Sequence, residues 1–220
     1  MTKMKKAVIF DMDGVLVDSQ PLHFEADRNV LGYYGANVSV SELVPYAGTR
    51  NRDRWIKYKE VYGLSGEVGE IIACHSQELR KLVSEGGLRP VKGIPELLRR
   101  LKEKGLKTAL ASSSSYDFIY LVLDSLDLRR YFDEVFSGED MPNGKPSPDI
   151  FIAAASKLGE SRESCVIIED SNNGVTAAVS AGIACVGYIN PTSGQQDLSA
   201  AKLIIFDFSE LITNDAWLEF

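Results

Sequence analysis

The chain has 220 residues, of which 45% are hydrophobic and 25% are charged, as is typical of a globular protein that buries a core without disulfides. These fractions exclude a disordered chain, and no apolar run approaches the roughly 20 residues that a membrane span needs. The net charge is −7 and no basic block stands out, so we expect neither a nucleic-acid partner nor a membrane partner. The apolar run 7–10 is too short for a signal peptide, which predicts a cytoplasmic protein.

The first strong signal is a continuous apolar run over residues 6–10, which ends at Asp11. A run of this kind, without polar alternation, predicts a strand that is covered on both faces of a sheet. Residues 19–87 then carry helical patterns and no convincing strand, which predicts an all-helical insert after the first strand. Its helices are predicted at 20–34, 52–62 and 67–84.

Strand and helix patterns alternate from residue 90 onward, which predicts an α/β fold built on a doubly wound parallel sheet. Ser147 is predicted to cap the third helix of this region, with Pro148 at its first position. The chain is thus expected to form an α/β domain from residues 1–17 and 89–220, and a helical domain from residues 18–88. The strands are predicted at 106–111, 134–136, 165–168, 183–189 and 203–206, and the helices at 95–104, 116–126, 148–158 and 174–181.

Polar side chains follow the carboxyl ends of the predicted strands, where ligands bind in open parallel sheets. One such residue would be ordinary turn punctuation, because Asp, Ser and Lys favour turns. Several of them at different strand ends indicate a functional site instead. They are Asp11, Asp13, Ser112, Ser113, Lys145, Glu169 and Asp170.

The chemistry of this group is specific. Carboxylates that gather at one place repel one another unless a cation neutralises them, and hard oxygen ligands without His or Cys select Mg²⁺. A magnesium site with an ammonium group beside it favours an anionic substrate with several oxygens, such as a phosphate. One carboxylate can attack phosphorus and form an aspartyl-phosphate, which splits a difficult hydrolysis into two steps.

Four segments resemble, in order, the four motifs of the haloacid-dehalogenase-like (HAD) phosphotransferases. They are FDMDGVLVDS at 10–19, ASSS at 111–114, GKPSPDIF at 144–151 and IEDSNNG at 168–174. The helical insert resembles the cap of the β-phosphoglucomutase-like subgroup, in which Asp18 and Ser19 are followed by His23. The resemblance implies a Rossmann-like core with an inserted all-helical cap domain.

The resemblance also implies a role for each catalytic residue. Asp11 would be the nucleophile that becomes phosphorylated, and also a Mg²⁺ ligand. Asp13 would be the general acid and base, and its backbone carbonyl would bind the metal. Ser112 and Lys145 would hold the oxygens of the transferring phosphoryl group.

The remaining metal ligands and the substrate contacts follow in the same way. Asp170 would be a further metal ligand, and Glu169 would act on the metal directly or through other ligands. His23, Arg50 and Ser113 would contact the substrate. The neighbouring arginines at 52 and 54 are expected on a solvated helix face.

Three functions remain open on the sequence. The first is a phosphatase for a small phosphorylated metabolite such as a sugar phosphate, and the second is a β-phosphoglucomutase. Related mutases carry a lysine and an asparagine where this chain has Ser115 and Tyr116, and a cap lysine near 74–77, which favours the phosphatase. The third is a phospho-receiver signalling domain, which would lack Asp13 and a helical insert.

Overall fold

The computed structural model describes residues 4–86 and 88–220, and within them six parallel strands form one sheet in the order β3-β2-β1-β4-β5-β6. β1 lies at the centre, with Phe10 in register with Leu110 of β2 and Ile168 of β4. The strand order reverses between β1 and β4, which is where ligands bind in such sheets. The strands are β1 (Ala7–Phe10), β2 (Lys107–Ser112), β3 (Glu134–Ser137), β4 (Cys165–Glu169), β5 (Ala184–Tyr188) and β6 (Leu203–Ile205).

A block of helices follows β1 before the chain returns to the sheet, which confirms the predicted helical insert. Its helices are α1 (Gln20–Tyr33), α2 (Val40–Leu43), α3 (Asn51–Tyr62) and α4 (Val68–Gly86). The insert has an apolar cluster of its own, in which Trp55 and Tyr58 of α3 are fully buried. Leu79 and Val83 of α4 pack instead against the apolar layer of the sheet. The domain boundaries at residues 17 and 89 stay a prediction.

Helices cover both faces of the sheet, which explains the apolar runs without alternation. Val8 and Phe10 of β1 face one apolar layer, and Ala7 and Ile9 face the other. The first layer includes residues of α5 (Ile94–Glu103), α6 (Tyr116–Ser125) and α9 (Ser209–Thr213), and the second includes residues of α7 (Asp149–Lys157) and α8 (Asn172–Ala181). The doubly wound α/β fold is therefore confirmed. Short 3₁₀ turns lie at Val44–Tyr46, Arg129–Tyr131, Gly138–Asp140, Arg162–Ser164 and Asp215–Glu219.

The start of α7 differs from the prediction by one residue. The helix begins at Asp149, and Pro148 rather than Ser147 occupies the capping position. The reason is that the Ser147 hydroxyl donates to the Asp149 carboxylate at 2.9 Å instead of bonding a backbone amide. The second carboxylate oxygen of Asp149 accepts from the backbone and the side chain of Asn143.

The two chain segments that join the insert to the sheet domain lie side by side. Val17 forms an isolated antiparallel bridge with Pro90, and the backbone N–H of Val91 donates to the carbonyl of Leu16 at 2.9 Å. The insert thus leaves and rejoins the rest of the fold at one place, next to the end of β1. None of the described helices is long and apolar enough to cross a membrane.

Candidate active site

The turn after β1 brings Asp11 and Asp13 to the edge of the sheet. The Asp11 amide still bonds the carbonyl of Ile168 on β4, and the chain then turns sharply at Gly14, whose φ is 87°. A β-carbon at position 14 would lie 1.9 Å from Asp170 Oδ2, so only glycine allows the loop after β4 to approach this closely. The turn therefore sets Asp11 and Asp170 next to each other.

Lys145 lies at the centre of the charged group and is 4% exposed. Its ammonium donates to Asp11 Oδ1 at 2.6 Å, to Glu169 Oε1 at 2.7 Å and to the carbonyl of Ala111 at 3.1 Å. Burial disfavours the charge, but the two carboxylates outweigh burial and raise the pKa of Lys145. The lysine therefore stays charged and fixes the position of the Asp11 carboxylate.

Glu169 is held by the start of α8. Its Oε2 accepts from the backbone amides of Asp170 and Ser171 and from the Ser171 hydroxyl, all within 3.0 Å. A helix N-terminus stabilises negative charge, and a β-carbon at Gly174 would lie 1.7 Å from Glu169 Oε1. Through Oε1, Glu169 also orients Lys145 within the group.

Of the two carboxylate oxygens of Asp170, one accepts a hydrogen bond and the other does not, among the described residues. Its Oδ2 accepts from the Ser193 hydroxyl at 2.5 Å, whereas its buried Oδ1 has no hydrogen-bond partner among the described residues. Ligand oxygens of Asp11, Glu169 and Asp170 all lie within 4.8 Å of one another. An unpartnered buried oxygen within a set of hard oxygen donors fits a divalent cation such as Mg²⁺.

The raised pKa values of the carboxyl groups also indicate that a cation binds here. Burial, together with the negative charge of Glu169, raises the pKa of Asp11 to about 8, although Lys145 opposes the shift. Burial and the charge of Glu169 likewise raise the pKa of Asp170. A positive charge bound beside these carboxylates would favour their ionised forms, and Asp11 is a nucleophile only when it is ionised.

Asp13 is surrounded by donors. Its Oδ1 accepts from the Ser19 hydroxyl at 2.6 Å and lies 2.9 Å from His23 Nε2, and its Oδ2 accepts from Ser112 at 3.2 Å and from Ser114 at 2.8 Å. Burial opposes ionisation, but His23 and the hydroxyls outweigh burial and hold the pKa of Asp13 below its usual range. In this arrangement the Asp13 carboxylate is ionised, so it can act as a base.

His23 and Ser114 extend what the sequence indicated. His23 is 8% exposed, so it is a buried partner of Asp13 rather than a solvent-exposed helix residue. Ser114 was not among the predicted residues, yet it bonds Asp13 more closely than Ser112 does. Four successive serines give no signal that tells one contact from the next.

The insert and the sheet domain line a cavity of about 60 Å³, whose wall includes Asp11 and Asp13. The loop before α3 contacts the sheet domain, because the Ser113 hydroxyl donates to the carbonyl of Gly48 at 2.8 Å. The Asn173 amide donates to the carbonyl of Ala47 at 3.1 Å. Arg50 directs its guanidinium to Asp53 and to the carbonyl of Met141, so its predicted contact with substrate stays a prediction.

A second buried charged cluster lies in the insert and was not predicted. Asp27 of α1 lies 3.2 Å from Arg54 Nε, 3.1 Å from His75 Nε2 and 3.1 Å from the Tyr58 hydroxyl. Arg54 is 9% exposed, so its expected place on a solvated face is wrong. It is buried because Asp27 neutralises it. We name Asp27, Arg54, Tyr58 and His75 the cap cluster; Arg54 and His75 also line the cavity.

Comparisons with known proteins agree with this geometry. A model of the haloacid dehalogenase-like hydrolase family matches residues 5–182. A phosphorylated carbohydrates phosphatase of Thermotoga maritima is 36% identical over 178 residues, which cover 81% of this chain and 82% of that protein. Hexitol phosphatase B of Escherichia coli is 37% identical over 180 residues, which cover 80% of this chain and 79% of that protein.

A solved structure extends the likeness to nearly the whole chain. A β-phosphoglucomutase from Clostridium difficile has a TM-score of 0.86 and 25% identity, and the match covers 98% of this chain and 97% of that one. The family match and the identities to the two phosphatases agree with the four sequence motifs. The chain is therefore an enzyme of the haloacid dehalogenase-like hydrolase family.

Proposed function

We propose that this protein is a Mg²⁺-dependent phosphatase that hydrolyses a small phosphorylated metabolite, a sugar or sugar-alcohol phosphate, through an aspartyl-phosphate. The observation that carries the proposal is the Asp11 carboxylate, which lines the cavity, accepts from Lys145 and lies in one acidic group with Asp170, whose buried Oδ1 is unpartnered among the described residues. Two similar proteins named as phosphatases of phosphorylated carbohydrates and of hexitols support the substrate class.

In the first step, an Asp11 oxygen attacks phosphorus, and the bond from phosphorus to the leaving oxygen breaks. Asp13 gives the leaving oxygen a proton, and Ser112 and Lys145 hold the phosphoryl oxygens as their charge grows. The Asp11 and Asp170 carboxylates, the Asp13 backbone carbonyl and Glu169 would hold Mg²⁺, which when bound would neutralise charge on the carboxylates and the phosphate.

In the second step, water attacks phosphorus and passes its proton to the Asp13 carboxylate, and Asp11 and inorganic phosphate are released. Asp13 needs a proton for the first step, whereas four donors keep it ionised in this arrangement. A leaving group that displaces the hydroxyls of Ser19 and Ser114 would raise the pKa of Asp13 toward the acid form.

The helical insert serves as a cap over the reaction. Ser113 donates to the carbonyl of Gly48 and Asn173 donates to the carbonyl of Ala47, so the insert is joined to the sheet domain beside the cavity. The arrangement described therefore corresponds to a closed cap. Substrate then reaches Asp11 when residues 18–88 move away from the sheet domain, and closure excludes water other than the attacking molecule.

A β-phosphoglucomutase is the second candidate, and two observations favour it. His23, whose position after Asp18 and Ser19 resembles that subgroup, lies 2.9 Å from Asp13, and a solved β-phosphoglucomutase shares the fold over nearly the whole chain. Ser115 and Tyr116 replace the lysine and asparagine expected of a mutase, so we rank the phosphatase first. The receiver alternative is wrong, because the chain is a member of a hydrolase family.

A panel of phosphate esters tests the proposal. It includes hexose 6-phosphates, sorbitol 6-phosphate and β-glucose 1-phosphate with a bisphosphate primer, each assayed with Mg²⁺ for released phosphate. We expect release from at least one sugar or sugar-alcohol phosphate, and none from the Asp11→Asn variant. Formation of glucose 6-phosphate without net release would establish the mutase, and no turnover of any ester would overturn both.

A further inference from the structure

His75 of α4 has a nitrogen that the protein itself does not use. The side chain is 2% exposed and forms part of the cavity wall. Its Nε2 lies 3.1 Å from Asp27 Oδ1, within ion-pair distance but outside hydrogen-bond geometry, and its buried Nδ1 has no polar partner of either kind among the residues that the structure describes. A buried polar atom without a partner is costly, so an unpartnered nitrogen in the wall of a binding cavity points to a ligand group.

The neighbours of His75 determine what this nitrogen can recognise. The Asp27 carboxylate can only accept hydrogen bonds, and Arg54 holds its pKa below the usual value despite burial. The hydrogen of the imidazole therefore lies on Nε2, facing Asp27. Burial lowers the pKa of His75, against the opposite effect of Asp27, so the ring is neutral. A neutral ring with its hydrogen on Nε2 offers Nδ1 as an acceptor.

The position of His75 relates this acceptor to the chemistry. Its ring centroid lies 6.3 Å from that of His23 and the two planes differ by 17°, while His23 Nε2 lies 2.9 Å from Asp13. Asp13 serves the leaving oxygen in the proposed reaction. His75 therefore lines the cavity next to His23, where the carbon chain of the leaving group would extend in the proposed reaction.

We propose that His75 is a specificity-determining residue, whose Nδ1 accepts a hydrogen bond from a hydroxyl on the polyol part of the substrate. The inference rests on the proposed phosphatase function and deepens it, since it names a substrate hydroxyl as the group that the helical insert recognises. Asp27 and Arg54 act as positioning residues that fix the ring and its hydrogen. A phosphate ester without such a hydroxyl leaves Nδ1 unpaired in the closed cavity and is rejected.

Substrate selectivity tests this inference. Sorbitol 6-phosphate and glucose 6-phosphate serve as hydroxyl-bearing probes; p-nitrophenyl phosphate and n-hexyl phosphate lack hydroxyls. The wild type is compared with His75→Leu, which removes the acceptor. We expect kcat/KM to fall about 10- to 100-fold for the polyol esters, mainly through KM, and to stay within about two-fold for the other esters.

Tyr58→Phe is the matched control. It removes another partner of Asp27, the hydroxyl 3.1 Å from Oδ2, and Tyr58 is not part of the described cavity wall. It should leave the selectivity unchanged. His75→Gln supplies both a donor for Asp27 and a carbonyl acceptor, so it should recover part of the loss. Thermal melting of each variant verifies that it is folded, and His75→Gln carries the test if the leucine variant is not.

Each result bears on the inference. An equal loss on both classes of ester, or no loss on the polyol esters, would overturn the role of His75 and leave the phosphatase function standing. A wild-type enzyme that releases phosphate from none of the four esters would remove the phosphatase function, and the inference would fall with it. The two failures are therefore distinguished by the wild type alone.

Discussion

Two buried charged groups contribute residues to the cavity wall, Asp11 from one and Arg54 and His75 from the other, and they differ in their balance of positive and negative charge. At the strand ends, the three carboxyl groups of Asp11, Glu169 and Asp170 gather around one cation, Lys145, so this group carries excess negative charge when all three are ionised. In the cap cluster, Asp27 is balanced by Arg54. Burying an unpaired charge is costly. An excess of buried negative charge is therefore retained where a bound ligand supplies the opposite charge, whereas a buried ion pair with balanced charge serves to stabilise the fold.

The largest effect is expected from Asp11→Asn, which removes one negative charge from the unbalanced group without changing its shape. Turnover of p-nitrophenyl phosphate should fall by about 10⁴-fold or more, because the nucleophile is lost. Above about pH 8, where Asp11 is ionised, the melting temperature without Mg²⁺ should stay the same or rise, because the repulsion among carboxylates is reduced. A variant with near-normal turnover would refute the covalent mechanism.

Removal of the divalent cation acts on the same excess charge. Excess chelator should lower turnover of p-nitrophenyl phosphate by about 10³-fold or more, because a bound metal stabilises a phosphoryl transition state by several kcal/mol. Added Mg²⁺ should restore the activity. The melting temperature of the wild type should rise with Mg²⁺, since binding to the folded state stabilises it. Full turnover in chelator would contradict the proposed metal site.

Asp13→Ala tests whether Asp13 acts as the general acid and base in the reaction or mainly supports the structure. We expect turnover to fall by about 10²- to 10⁴-fold, the usual contribution of general acid and base catalysis. The fold should remain, which circular dichroism and thermal melting would show. A loss of thermal stability large enough to account for the loss of activity would mean that Asp13 mainly supports His23 and its serine partners.

The balanced cluster should respond mainly in stability, in addition to the selectivity that Asp27 and Arg54 support by positioning His75. Asp27→Ala leaves Arg54 buried without its carboxylate, and removal of one partner of a buried pair costs about 3–5 kcal/mol. Urea denaturation measures this loss. Tyr58→Phe, which keeps the ion pair, should cost about 1 kcal/mol. Equal and small losses in the two variants would show that the charge balance in the cap does not stabilise the fold.

The smallest effect is expected from Ser193→Ala, which frees Asp170 Oδ2 and so loosens one member of the unbalanced group. Groups that orient metal ligands typically contribute about 10- to 100-fold in affinity. Calorimetric titration with Mg²⁺ measures the change without relying on turnover. Thr192→Val changes the neighbouring residue and leaves the contact with Asp170 in place. Equal affinities for the two variants would rule out an orienting role for Ser193.

The two groups also differ in how well the sequence predicted them. Asp11, Asp13, Glu169 and Asp170 lie at or just after the ends of strands, and parallel strands bring their carboxyl ends to one edge whatever their side chains are. Asp27, Arg54 and His75 lie on three different helices, and only the packing of these helices brings them together. Ser193 lies in a loop without a regular pattern. Backbone topology is readable from apolar runs, whereas contacts between packed helices are not.

The pairing of the two connecting segments, Val17 with Pro90 and Leu16 with Val91, has a consequence for how such proteins diversify. Because the chain leaves and rejoins the sheet domain at adjacent positions, the insert is a unit whose two ends lie side by side. A foreign helical unit with neighbouring termini can be grafted there while the sheet beneath keeps its register. Exchange of the insert then changes the substrate selectivity, and the residues of the sheet domain that carry the phosphoryl chemistry stay in place.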